Sequence, residues 1–301
     1  MSHNGSNFWF KDATTNVAHM HSIQISPQML MIVVPDGRCW LVAYGSLEVS
    51  ALPVTSVAAG GSSLATSAVE GAIVAGLARA GDASANGPYT LLRYMRWLAG
   101  NYVFAGQTPG LFRRGAERFA SLGRSDLADF AGRKAEEEEG HAHLAYRDLE
   151  ALGLPAAEVI GLIRPPSAEA FAERFRTYVE SDDPVALFGF SYCLERMAVA
   201  RDAAFIRKVQ AICPPGSRAI RFLKVHSNIG NDSDHVYEQL SFFDSLNYSE
   251  LASVTRAAFE TAEMLAQQPQ MDGVLTDEET YLRLRRAGIE VSQRRETDDA
   301  T

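Results

Sequence analysis

The rhythm of hydrophobic and polar positions changes once along this chain. In the stretch MLMIVVPDGRCWLVAYGSLEV, residues 29–49, Val, Ile, Leu and aromatic side chains crowd on either side of Pro35-Asp36-Gly37, which predicts two β-strands joined by a turn. Residues 64–80, rich in small side chains, predict a helix. The run GDASANGP, residues 81–88, is dense in turn formers and reads as a linker. Residues 1–82 therefore form a small β-containing segment, and residues 88–290 a separate domain. Beyond Pro88 the period is helical and no strand pattern interrupts it. The expected helices are 89–105, 110–123, 126–152, 156–163, 168–180, 184–211 with a break near 202, 216–227, 232–245, 248–268 and 277–287. The fold class is all-α with a β-containing N-terminal segment, followed by a polar tail, SQRRETDDAT. No internal repeat suggests a solenoid.

Composition narrows the functional classes. The chain has 301 residues, 47% of them hydrophobic, which suffices for one sizeable core. Its 28 Lys and Arg against 37 Asp and Glu give a net charge of −9, so nucleic acid and acidic membrane surfaces are repelled on average. Cys39, Cys193 and Cys213 lie far apart, with no disulfide or thiolate-zinc spacing, which suits a reducing cytoplasm. The first thirty residues hold no basic stretch followed by an apolar one, and the most apolar window, 56–80, carries Glu70; neither a signal peptide nor a membrane span is expected.

Several polar residues fall where apolar ones belong. At about 100° per residue with Leu127 at zero, Phe130, Ala131, Ala145, Leu149 and Leu152 form one stripe. Glu138, at about 20°, and His141, at about 320°, lie inside it, whereas Glu136, Glu139 and His143 face water and Glu137 lies at the edge. Glu-x-x-His is a metal-ligand spacing; a solvated glutamate run with a satisfied core histidine is the competing reading. In DPVALFGFSYCLERMAVARD, Glu195 is a lone acid on the face of Phe188 and Tyr192; Arg196 and Arg201 point elsewhere on that helix, so its partner must come from another element. In NDSDHVYEQLSFFDSL, Asp232 and His235 share the side of Val236, Gln239 and Phe243, although Asp232 could also simply cap the helix. His226 lies nine residues before His235 and can meet it only if the helix breaks in SNIGND, where Gly230 and two asparagines favour a break. His19 and His21 read as a surface pair.

Oxygen and imidazole donors without sulfur suit iron or manganese. Two divalent ions would bring +4 against −3 from Glu138, Glu195 and Asp232, and a single ion would also be tolerable.

EEGHAHLAYRDLEALG, FGFSYCLERMA and FLKVHSNIGNDSDHVYEQL resemble, in order, the three metal-bearing core helices of the heme-oxygenase-like diiron oxidases and oxygenases, relatives of the TenA and PqqC proteins. That family carries a Glu and a following His on one helix, a Glu on the second and His-x-x-x-Asp-x-x-His on the third. The resemblance covers about residues 88–268 and implies a heme-oxygenase-like helical bundle with metal ligands Glu138, His141, Glu195, His226, Asp232 and His235. The chain departs from the pattern between His226 and Asp232, which are two residues further apart than in the family. The resemblance implies two Fe(II) ions per chain, with manganese as the alternative, O2 as co-substrate, and oxidation or oxygenation of a small organic acid, amino acid or amine in specialised metabolism. A small-molecule substrate and a homodimer are the expected partners. Two other functions compete: a metal-free enzyme on the same scaffold, with Glu195 and histidines as acid and base, and a non-enzymatic binding protein whose first 82 residues recognise a partner.

Overall fold

Alternation of apolar and polar residues builds a small sheet at the start of the described chain. In the computed structural model the described residues are 20–34, 38–44, 49–52, 63–79, 88–229 and 232–291, with Val49, Asp232 and Ser233 described in backbone only. Strand β1 (His21–Ser26) buries Ile23 and Ile25 and exposes Gln24 between them. Strand β2 (Met29–Val33) buries Met29, Met31 and Val33 by the same period of two. With β3 (Cys39–Ala43) and β4 (Val49–Leu52) they form a four-stranded antiparallel meander in chain order. Met31 faces Leu41 and Val33 faces Cys39, so the two expected strands pair as a hairpin. β1 and β4 extend that hairpin on either edge. The expected turn at Pro35-Asp36-Gly37, linker residues 81–87 and the tail 292–301 lie outside the described residues.

Helix α1 (Leu64–Arg79) lies against the sheet, and its small residues let neighbours approach closely. Ala68 and Ala72 share one buried cluster with Ile23 and Met31 of the sheet and Phe259 of the helical part, so strands and helices have a common core. Glu70 on α1 is 4% exposed, accepting from the Tyr192 hydroxyl and from Arg196 Nε at 3.0 and 3.1 Å. The one acid in the apolar window is thus an internal tie between elements.

Twelve further helices follow among the described residues. They are α2 (Leu91–Ala105), α3 (Thr108–Ser121), α4 (Ser125–Glu137), α5 (His141–Ala151), α6 (Ala156–Ile163), α7 (Pro166–Glu180), α8 (Ala186–Val199), α9 (Ala203–Ile212), α10 (Arg221–Val225), α11 (Asp232–Phe243), α12 (Tyr248–Met271) and α13 (Asp277–Arg286). Two departures from the expected boundaries matter. The helix expected over 126–152 breaks after Glu137, where Gly140 adopts φ +85°, a left-handed conformation that side chains disfavour. The helix expected over 216–227 shrinks to α10, which ends just before His226. The break anticipated near 202 is present, with Asp202 capping α9 by accepting from Phe205 N–H at 2.8 Å.

The apolar interior has two parts. One joins the sheet and α1 to α3, α4, α7, α8, α11 and α12; the other gathers α2, α5, α6, α9, α10 and α13. α8 crosses α12 so tightly that a Cβ on Gly189 would stand 2.0 Å from Val254 O. Since α4 belongs to the first part and α5 to the second, the break at residues 138–140 falls on the boundary between them. No helix of the described residues is long and apolar enough to cross a membrane.

Candidate metal centre

The break after α4 places Glu138 at the helix end, turned inward and half-buried, with His141 opening α5 one step later. His141 Nδ1 and Glu138 Oε2 are 3.0 Å apart. His226, just beyond α10, sets its ring edge-on to that of His141, with centroids 4.8 Å apart and planes at 84°, and packs on Phe222. One ligand atom from each of Glu138, His141 and His226 lies within 4.8 Å of the others. Bonds of about 2.0–2.2 Å hold any two ligand atoms of one ion within about 4.4 Å of each other, so the three need to draw together only slightly. Burial alone would raise the Glu138 pKa, but the His141 hydrogen bond and the fields of His226, His141 and Lys134 outweigh it and hold the carboxyl below its ordinary range. The group is therefore a carboxylate beside two imidazoles, a donor set that fits one divalent ion.

A second cluster adjoins it. Lys134, one turn before Glu138, is 1% exposed, and its Nζ lies 2.8 Å from Glu137 Oε2 and 3.1 Å from Glu195 Oε1. Glu195 also accepts from Ser191 Oγ at 3.1 Å and from Gln239 Nε2 at 2.7 Å. Burial would push the Lys134 pKa down, but Glu195 and Glu137, by charge and hydrogen bond, raise it, so the ammonium stays charged. The partner that Glu195 required from another element is this lysine. His235 Nε2 stands 3.7 Å from Glu137 Oε2.

The six ligands expected from the sequence are thus distributed unevenly. Glu138, His141 and His226 come together, while Glu195 and His235 sit in the lysine cluster. The Asp232 backbone begins α11, but its side chain lies outside the described residues, as do Gly230 and Asn231. His226 joins the group despite the altered spacing, because α10 stops before it. The outward positions hold too: Glu136, Glu139 and His143 are exposed. Of the remaining pair, His19 lies outside the described residues and His21 stands 5.9 Å, ring to ring, from Tyr248. Sequence reasoning gave no role to Lys134, Glu137, Ser191 or Gln239. Lys134 was findable, since on the same wheel it falls at about 340°, inside the apolar stripe.

Glu138, His226, Ser191 and Glu195 line a cavity of about 160 Å³. The rest of its lining is largely aromatic, including Phe104, Phe112, Phe171, Phe175, Phe190 and Phe222, with Arg201 and Gln268 among the polar lining. Trp97, Arg201 and Gln268 also line a second, wider depression of about 900 Å³. The Arg201 guanidinium stacks over the Trp97 ring at 5.3 Å.

No family model matches this sequence, and no curated protein does. Among solved structures, a domain of unknown function with a heme oxygenase-like fold from Shewanella denitrificans OS217 is similar over 74% of this chain and 90% of its own, with TM-score 0.53 and 17% identity. A CADD-like protein of unknown function from Nostoc punctiforme PCC 73102 is similar over 71% of this chain and 88% of its own, with TM-score 0.45 and 14% identity. The first likeness defines the architecture: the chain has a heme-oxygenase-like fold, with a small antiparallel sheet at its N-terminal side.

Proposed function

We propose that this protein is a nonheme, iron-dependent oxidoreductase that uses O2 to oxidise or oxygenate a small organic acid, amino acid or amine in specialised metabolism. The observation that carries the reading is the Glu138, His141 and His226 group, two of whose members face an aromatic-lined cavity. One carboxylate with two imidazoles is the donor set by which nonheme Fe(II) oxygenases hold their metal and leave positions open. Iron bound there supplies one-electron chemistry toward O2. The chain's own residues do the rest. The phenylalanines keep water from the reacting atoms. Arg201, which lines the cavity, pairs with a substrate carboxylate. Glu195, paired with Lys134 at 3.1 Å, offers an acceptor to a substrate amine.

The test is anaerobic loading of the metal-stripped chain with Fe(II), followed by O2 uptake against a panel of small acids, amino acids and amines. Substrate-stimulated uptake by the loaded chain that is lost in Glu138→Ala and His226→Ala supports the reading. Turnover that survives exhaustive chelation contradicts it and assigns the chemistry to Glu195 as acid and base, since Glu195 also faces the cavity.

A further inference from the structure

We propose that Lys134 takes the place of a second metal ion, so that the site holds a single divalent cation on Glu138, His141 and His226. The inference rests on the metal-dependent reading above and fixes its stoichiometry. Its argument is the charge inventory of the described residues. Carboxylates pointing inward from separate helices ask for positive charge, and two metal ions could supply it. Part of that demand is already met. The Lys134 ammonium lies between Glu137 Oε2 at 2.8 Å and Glu195 Oε1 at 3.1 Å. Ser191 and Gln239 donate to the same Glu195 carboxylate, each to a different oxygen. A carboxylate with an ammonium and two donors on its oxygens is satisfied without a metal.

The sum over the ion-paired side chains agrees with one ion. Glu137, Glu138 and Glu195 carry −3, Lys134 carries +1, and one divalent cation brings these four side chains to zero. A second divalent cation would leave +2 on the same four side chains and would compete for Glu195 with a lysine that is 1% exposed. The remaining group is complete for its task, since two imidazoles and one carboxylate make a full protein ligand set for a single iron with open positions. His235 belongs to the lysine side by its contact with Glu137, and in this arrangement is not a ligand.

The experiment is a titration of the stripped, full-length chain with Mn(II) under anaerobic conditions. Bound metal is counted by elemental analysis after gel filtration, and the electron paramagnetic resonance spectrum distinguishes an isolated Mn(II) from a spin-coupled pair. The wild-type chain is expected to hold one Mn(II) with an uncoupled spectrum, and His235→Ala to hold one as well. Glu138→Ala should lose affinity by more than the roughly 100-fold that a lost outer partner can cause. Lys134→Glu, which removes the ammonium and adds a carboxylate, should raise the count to two. Two coupled ions in the wild type overturn the proposal while leaving the metal-dependent reading intact. No bound ion at all overturns that reading and the proposal with it. A folded Lys134→Glu chain that still holds one ion overturns the role of Lys134 as the excluding charge. If that variant does not fold, the wild-type count and spectrum, with His235→Ala, still decide.

Discussion

Lys134 Nζ and Glu195 Oε1 lie 3.1 Å apart, with side chains 1% and 9% exposed, joining α4 to α8 at the wall of the cavity. Removing one partner strands the other. Lys134→Met should destabilise the metal-free fold by about 3–5 kcal/mol, read as a lower urea midpoint at unchanged slope. Adding Glu195→Gln should recover a large part of that loss, because the uncharged amide can accept from Gln239 through its oxygen and donate to the Ser191 hydroxyl through its NH2. Additive losses in the double variant would mean that the two side chains do not act as a pair.

Backbone geometry makes a second prediction. At Gly140, φ is +85° and a Cβ would meet no atom within 4 Å, so Gly140→Ala should lose about 1–2 kcal/mol from left-handed backbone alone. Gly189→Ala acts by crowding, since its Cβ would stand 2.0 Å from Val254 O. It should push α8 from α12 at a loss of about 1–3 kcal/mol or more. Chemical denaturation of the two variants, with metal affinity measured beside it, separates them: both lose stability, and Gly140→Ala also displaces Glu138 relative to His141.

Acid sensitivity should carry a Glu138 component. Its folded pKa lies below the ordinary value of 4.5, so the carboxylate contributes stability that is present above that value and lost as pH falls through the lower, folded one. In the metal-free chain, Glu138→Gln should therefore flatten the acid limb of the stability curve below about pH 4.5. A variant curve parallel to wild type through that window would show that the His141 hydrogen bond and its neighbours do not favour the charged form.

Arg201 is expected to act on binding. With an acidic substrate, Arg201→Met should raise KM by about ten- to a hundredfold, the value of a hydrogen bond to a charged group, and change kcat much less. An equal fall in kcat with KM unchanged would remove Arg201 from substrate binding.

Much of this architecture was legible before any coordinates. The described strands all precede Pro88, although helix α1 precedes it too, and the wheel positions of Glu138 and His141 pointed inward as the structure has them. The hairpin partners were readable, but β1 was missed although Ile23 and Ile25 alternate with polar neighbours, because six residues give a weak period beside a long apolar run. The break at Gly140 was hidden because the apolar stripe keeps its phase on both sides. His226 depended on where α10 ends, which local sequence does not dictate. Lys134 was overlooked for a different reason: lysine is so rarely buried that a wheel search for ligands passes over it, although a buried acid calls for such a partner.

The most direct test of the account is the anomalous scattering of crystals grown or soaked with Mn(II). The account predicts one strong peak per chain, about 2.0–2.4 Å from Glu138, His141 and His226, with Lys134 Nζ still against Glu195. A peak bridging Glu195 and His235 instead, or no ordered metal near Glu138 at saturating Mn(II), would contradict it.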